Sequence, residues 1–292
     1  MNLVYLDSTK NKCIVSYGAY DVTAQSTATV SSNSKQSFAD EDDTLNDLST
    51  TNKYSTLERN EWKLDGNIKI FPNNPEPIQW GWWSAYQSDD DGLFTINPSI
   101  TYTWDSNHSS MGLTLKFLDP IKKIKIYWYN GSNTLIEQED FINSDYTLTE
   151  YRIEKSVENY RKIVIEVVQT MPNRYAKILE TFFGLSIVWD REIITFSINE
   201  SLDPKCNELT SNQLEITLNN LDSRFNKYNP DNNLRFLQEE QKIDVKSQIL
   251  VNGRYEIVPL GTFYLSSWGN PTEYTSRFIA NDLIYKLKGC YD

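Results

Sequence analysis

Three indoles crowd the stretch Trp80-Gly81-Trp82-Trp83-Ser84-Ala85-Tyr86, and shortly after it three aspartates, Asp89, Asp90 and Asp91, run into Gly92. Two chemistries suit these residue types. An exposed indole or phenol offers a flat apolar face on which a sugar ring stacks, so Trp80, Trp82, Trp83 and Tyr86 are candidate residues of a glycan platform. Carboxylates clustered before a glycine are hard oxygen ligands, so Asp89, Asp90 and Asp91 are candidate ligands for calcium. Each group has a plainer alternative. On a strand from 80 to 86, Trp80, Trp82, Ser84 and Tyr86 share one face while Gly81, Trp83 and Ala85 share the other. Large aromatics beside small residues are also what fills a sandwich core. The aspartates lack the alternating spacing and distal Glu of an EF-hand, and they suit a solvated turn. Core packing and a turn are the expected readings, with sugar and metal binding as the alternatives.

Other reactive groups are sparse. The single histidine, His108, lies in the polar run DSNHSS, which reads as a loop, and no second histidine completes a metal cage or an alternative triad. A glycosidase needs only two carboxylates that the fold brings together, so the 40 acidic residues leave that chemistry open. Glycine-rich phosphate loops, serine elbows and HExxH are absent, and no cofactor and no catalytic residue is assigned. The 28 basic residues leave a net charge of −12, which repels phosphate backbones and anionic surfaces and argues against a nucleic-acid partner. Cys13, Cys206 and Cys290 are odd in number and far apart, which fits neither a disulfide framework nor a zinc site. No apolar run approaches the length of a membrane span, and the start MNLVYLDSTK lacks an export-signal pattern, so a chain made and kept reduced in the cytoplasm is expected.

Strands must position whatever site exists. An aromatic fraction of 13%, with 18 Tyr and 8 Trp, leans towards β structure, and 292 residues suit two compact units. Residues 1–53 read as an N-terminal arm and linker: two short strand-like pieces, then a Ser/Thr/Asn/Asp-rich stretch with the acidic run Asp40-Glu41-Asp42-Asp43. From residue 54 to 186 period-two alternation takes over. Leu113, Leu115 and Phe117 fall on one face of a strand, as do Ile124, Ile126 and Trp128, and Ile163, Ile165 and Val167. Asn130-Gly131, Asp65-Gly66 and Asp91-Gly92 supply turns between apolar runs. This pattern predicts an all-β sandwich or jelly roll. Residues 187–292 predict a second, smaller β unit. There Asn252-Gly253 marks a hairpin and Pro259 an edge or a bulge, and this hairpin is the candidate assembly element. Asp282 is placed to cap a brief helix ended by Gly289.

Taken in order, the segments YGAYDVTAQSTATVSS, KYSTLERNEWKLDGN, WGWWSAYQSDDDGLF, VENYRKIVIEV, NRYAKILETFFG, LEITLNNLDSRFN and VPLGTFYLSSWGNPTEYTSRFIANDLI resemble tail-tip and baseplate proteins of phages, and of phage-tail-like particles, of Gram-positive bacteria. The resemblance implies a virion structural component without catalysis, assembled in the host cytoplasm with other tail proteins as partners and forming a homo-oligomer or ring. It also implies a galactose-binding-like jelly roll in the first module and a hub-like β domain in the second. Two alternatives stand beside it. One is a tail protein that recognises a cell-surface glycan through the jelly roll. The other is a wall-degrading glycosidase with two carboxylates about 5 to 9 Å apart in a cleft.

Overall fold

The computed structural model describes residues 12–46, 58–59, 80–200, 210–223, 225–226, 236–251 and 254–285. In chain order its strands are β1 (Lys12–Tyr20), β2 (Thr29–Ser32), β3 (Trp82–Trp83), β4 (Ser99–Ser110), β5 (Leu113–Phe117), β6 (Ile121–Tyr129), β7 (Leu135–Ile142), β8 (Glu150–Ile153), β9 (Val157–Thr170), β10 (Lys177–Phe182), β11 (Gly184–Trp189), β12 (Ile193–Asn199), β13 (Gln213–Asn219), β14 (Lys242–Val251), β15 (Arg254–Thr272) and β16 (Thr275–Asn281). A short helix, α1 (Val22–Thr27), follows β1. No helix among the described residues is long and apolar enough to cross a membrane. Contacts divide the chain into two units, Thr23–Leu185 and Met1–Val22 with Ser186–Asp292.

Thr23–Leu185 is a sandwich of two antiparallel sheets, one ordered β3-β10-β5-β8 and the other β2-β4-β9-β6-β7. Alternation in the sequence explains why the sheets stack. Ile124, Ile126 and Trp128 of β6 and Ile163, Ile165 and Val167 of β9 project from one sheet into the same apolar cluster as Leu113, Leu115 and Phe117 from the other. Removal of that surface from water, at about 25 cal/mol per Å², is what holds the sheets together. All-β jelly-roll architecture is therefore what this unit has.

The polar stretch expected to be a linker belongs to this fold. Strand β2 pairs with β4, a 3-10 turn at Asp42–Leu45 follows, and the Thr44 hydroxyl is buried at 2.9 Å from the Tyr102 hydroxyl. Between them the chain runs beside residues 81–85: Gln36 N–H donates to the Trp83 carbonyl at 3.0 Å and Asp40 N–H to that of Gly81 at 3.3 Å. Side-chain and backbone polar groups thus find partners within the sandwich, which is why so polar a segment is ordered.

The other unit is built on one seven-stranded sheet ordered β11-β1-β14-β15-β16-β13-β12, antiparallel from β1 through to β12. Strand β1 lies inside it, paired with β14 from Lys12↔Gln248 to Tyr17↔Ile243. Val15, Tyr17 and Ala19 of β1 are buried, and the Tyr17 ring stacks on Trp189 at 5.0 Å. One strand-like piece of the stretch read as an arm is thus an interior member of this sheet, because its apolar residues find a partner strand more than 200 positions away, at Ile243–Gln248. Pro259 and Gly261 stand opposite Lys246 and Val245, so the ladder has a bulge here and β15 runs on through it to Thr272 as a single strand. Asn252-Gly253 and Asp65-Gly66 lie outside the described residues. Asp282 does open a helical turn, its carboxylate accepting the Ile284 N–H at 3.2 Å, and Gly289 lies outside the described residues.

Candidate functional site

Trp82 and Trp83 are not a platform. Both are buried in β3, on opposite sides of a two-residue strand. Trp82 joins the sandwich core, and its Nε1–H donates to the Ser34 carbonyl at 2.9 Å. Trp83 packs edge-on against Phe38 and Trp80 and donates its Nε1–H to the Trp80 carbonyl at 3.0 Å. Gly81 makes this possible: its φ is +68, and a Cβ there would sit 2.4 Å from the Ile178 carbonyl oxygen. Trp80 is half-buried, with its N–H on the Asp43 carboxylate at 2.8 Å. Burial pushes that carboxyl above the usual range, although the Trp80 N–H favours its ionised form. Tyr86 alone of the four is exposed, at 78%. The platform is corrected because residues 34–40 close over the indoles, a cover that the strand pattern of residues 80–86 does not disclose.

The aspartates build a turn. Asp89 Oδ1 accepts the N–H groups of Asp91 and Leu93 at 2.9 and 2.8 Å, and Gly92 N–H returns to the Asp89 carbonyl. Asp90 binds Asn173 at 2.9 Å and pairs loosely with exposed Arg59. Asp89, Asp90 and Asp91 do not converge, and no group of three His, Cys, Asp or Glu among the described residues could hold a metal ion.

Nor do Glu58 and Asp119, two carboxylates that come together, face each other across a cleft. Glu58 and Asp119 both bind Lys177 Nζ, at 2.6 and 2.7 Å, in the interior, where the ammonium also lies 4.5 Å from the centre of the Trp83 ring. His108 is corrected as well. It is buried in β4 between Trp104 and Tyr160, with ring centroids 5.4 and 6.4 Å away, and its Nε2 is 3.2 Å from the Ser106 hydroxyl.

A different group of side chains does converge, at one end of the five-stranded sheet. Three irregularities place it there. In β4, Thr103 pairs with Lys162 and His108 with Tyr160, so residues 104–107 all stand opposite Arg161 and the strand bulges outward. Between β6 and β7 a tight turn carries Asn130, Gly131 and Ser132, closed by Asn130 Oδ1, which accepts Ser132 and Thr134 N–H at 3.0 and 2.9 Å. In β9, Asn159 is left-handed, with φ at 59, and its N–H is held by the Ser109 hydroxyl at 3.1 Å.

These features surround an open hollow of about 400 Å³ lined by Asn107, Asn130, Gly131, Ser132, Asn159 and Arg161. Arg161 has the strand parity of buried Ile163 and Ile165 and comes up where the sandwich opens. Its Nε–H donates to Asn107 Oδ1 at 2.7 Å, which fixes the guanidinium plane. Gly131 lets the guanidinium lie close, since a Cβ there would be 3.0 Å from Arg161 Cδ and 3.1 Å from its Nε and would push that side chain back by a few tenths of an ångström. With Asn130 committed to its turn, the amides of Asn107 and Asn159, the Ser132 hydroxyl and the guanidinium remain as an array of neutral and cationic hydrogen-bonding groups. Beside it Lys162 Nζ meets Asn133 Oδ1 and covers the Tyr129 ring at 4.0 Å. None of these residues was singled out from the sequence for binding; Asn130-Gly131 read only as a hairpin turn.

No family model matches the chain, and no curated protein does. Among solved structures, the family 32 carbohydrate-binding module of NanJ from C. perfringens, in complex with galactose, is 14% identical over 57% of this chain and 97% of its own, with a TM-score of 0.33. A fucose-binding module from Streptococcus pneumoniae is 7% identical over 53% and 88%, with a TM-score of 0.33. The lectin domain of lectinolysin complexed with Lewis B antigen is 8% identical over 56% and 96%, with a TM-score of 0.34. Overlaps this slight decide nothing about a ligand.

Proposed function

We propose that the chain is a non-catalytic recognition protein whose jelly-roll unit binds a carbohydrate in the hollow around Arg161. One observation carries the reading: a bulge, a turn and a left-handed residue, three departures from a regular sandwich, all deliver amide, hydroxyl and guanidinium groups to the same open hollow. Adjacent sugar hydroxyls are donors and acceptors at once, and paired donors and acceptors on planar amides and a guanidinium match them. Replacing Arg161 with Ala should reduce retention on immobilised glycans about tenfold or more while the thermal midpoint stays close to that of the parent chain, as expected for the loss of one charged hydrogen-bonding group. Glycan retention that survives this change would place the sugar elsewhere.

A second reading, a structural component of a phage tail tip or baseplate, is favoured by the apolar surface of the unit Met1–Val22 with Ser186–Asp292. Strand β12 is an edge of its sheet among the described residues, and it exposes Ile194 and Phe196 at 54% and 37%; Ile257 of β15 is exposed at 59%. An apolar edge with unpaired backbone groups is a template for a neighbouring chain. The resemblance to tail proteins supplies the context, and a tail component that grips a surface glycan satisfies both readings. Phe196→Lys should then shift the chain towards monomer in sedimentation velocity, or weaken its capture by other tail proteins. A parent chain that is monomeric and captures none of them would remove the assembly role.

A further inference from the structure

Resting on the glycan reading, we propose that the hollow selects sugars bearing a carboxylate, such as uronic or sialic acid residues, and that Arg161 is the group that grips the acid. The chain carries 40 acidic residues against 28 basic ones, and its cations are widely neutralised: Lys35, Lys116, Lys123, Lys155, Lys177, Lys242 and Arg277 each pair with a carboxylate. Arg161 departs from this pattern. Its hydrogen-bond partner is the amide oxygen of Asn107, and none of the six residues lining the hollow is acidic. Asp105 and Glu158 are close in sequence, yet neither lines it.

Geometry favours a carboxylate over a neutral group. Tethering through Nε leaves the two terminal nitrogens of the guanidinium, with four of its five N–H groups, to a ligand, and this terminal edge accepts a carboxylate through parallel hydrogen bonds. Half-burial at the mouth of the sandwich weakens solvent screening of the charge. Lys162 at the same sheet end likewise meets an amide oxygen and an aromatic ring, so a second cation stands beside Arg161. Asn107, Asn159 and Ser132 are then left for the hydroxyls of the same sugar residue.

The test uses the full-length chain and oligosaccharides ending in glucuronic or N-acetylneuraminic acid, each beside its carboxyl-reduced form, which keeps every hydroxyl and loses the charge. Titration calorimetry should give affinities about ten- to hundredfold higher for the acids, the span of a charge-assisted hydrogen-bond pair. The preference should weaken as salt rises and vanish in Arg161→Gln, with Asn159→Ala as a second variant that weakens acid and reduced sugar alike. Equal affinity for acid and reduced forms, with Arg161→Gln and Asn159→Ala still weakening both, would overturn the acid preference and leave the glycan reading standing. Absence of binding to either form, and to neutral galactosides tried beside them, would overturn both.

Discussion

Replacing Lys177 with Met is expected to cost the jelly-roll unit about 3–5 kcal/mol, the range for leaving one side of a buried ion pair uncompensated. Lys177 is only 3% exposed and joins Glu58, which is fully buried, to Asp119, which is 12% exposed. Glu58 also accepts the Tyr175 N–H at 2.8 Å, so one carboxylate ties residue 58 to the start of β10. Without the ammonium, the two carboxylates lose the positive charge they share and are left as like charges side by side, which disfavours the ionised form of one of them. Urea unfolding of the parent and variant chains measures the effect. A loss below about 1 kcal/mol would mean that the cluster is solvated and that Lys177 is an ordinary surface pair. Removing Glu58 and Lys177 together, by apolar residues of similar size, should recover part of the loss, because the penalty lies chiefly in the orphaned charge.

Trp82→Ala should be comparably costly, on the order of 3–5 kcal/mol, as a large aromatic leaves a cavity that the sandwich cannot collapse around. The indole is fully buried, and its removal also strands the Ser34 carbonyl that it satisfies. Denaturant midpoints would register the change. Glycan retention by the fraction still folded should be unaltered, since Trp82 faces the core and does not line the hollow. A stable variant that lost its sugar would reverse this assignment and restore the indoles as a platform.

These two residues also show where sequence reading succeeds and where it stops. Alternation in β5, β6 and β9 is a local property, so Leu115, Ile126 and Ile165 could be placed in a core from their spacing alone, and they are buried. Whether Trp83 faces solvent depends on what lies over it, and that cover comes from Gln36, Phe38 and Asp40, some 45 positions earlier in a stretch whose composition suggests a linker. The same limit hid the partner of β1: the strand-like piece was visible in its apolar residues, but β14 is distant in sequence. The hollow was least legible. Asn107 reaches Arg161 only because β4 bulges, and Asn159 lies at the hollow because it adopts a left-handed backbone; neither is set by residue spacing. The visible traces were the Asn130-Gly131 pair, read for its turn chemistry, and the strand of Ile163, Ile165 and Val167, read for its core face; that the two meet, with the guanidinium of Arg161 beside the turn, is a matter of tertiary packing.

Sugar binding at the end of the five-stranded sheet can be read directly by amide-resolved NMR of the full-length chain titrated with an acidic oligosaccharide. Saturable shifts are expected at the side-chain amides of Asn107 and Asn159, the Arg161 guanidinium and the backbone of Gly131 and Ser132, with Trp80 and Tyr86 unmoved. Shifts centred on Trp80 and Tyr86, with the Arg161 hollow silent, would move the sugar site to the indoles.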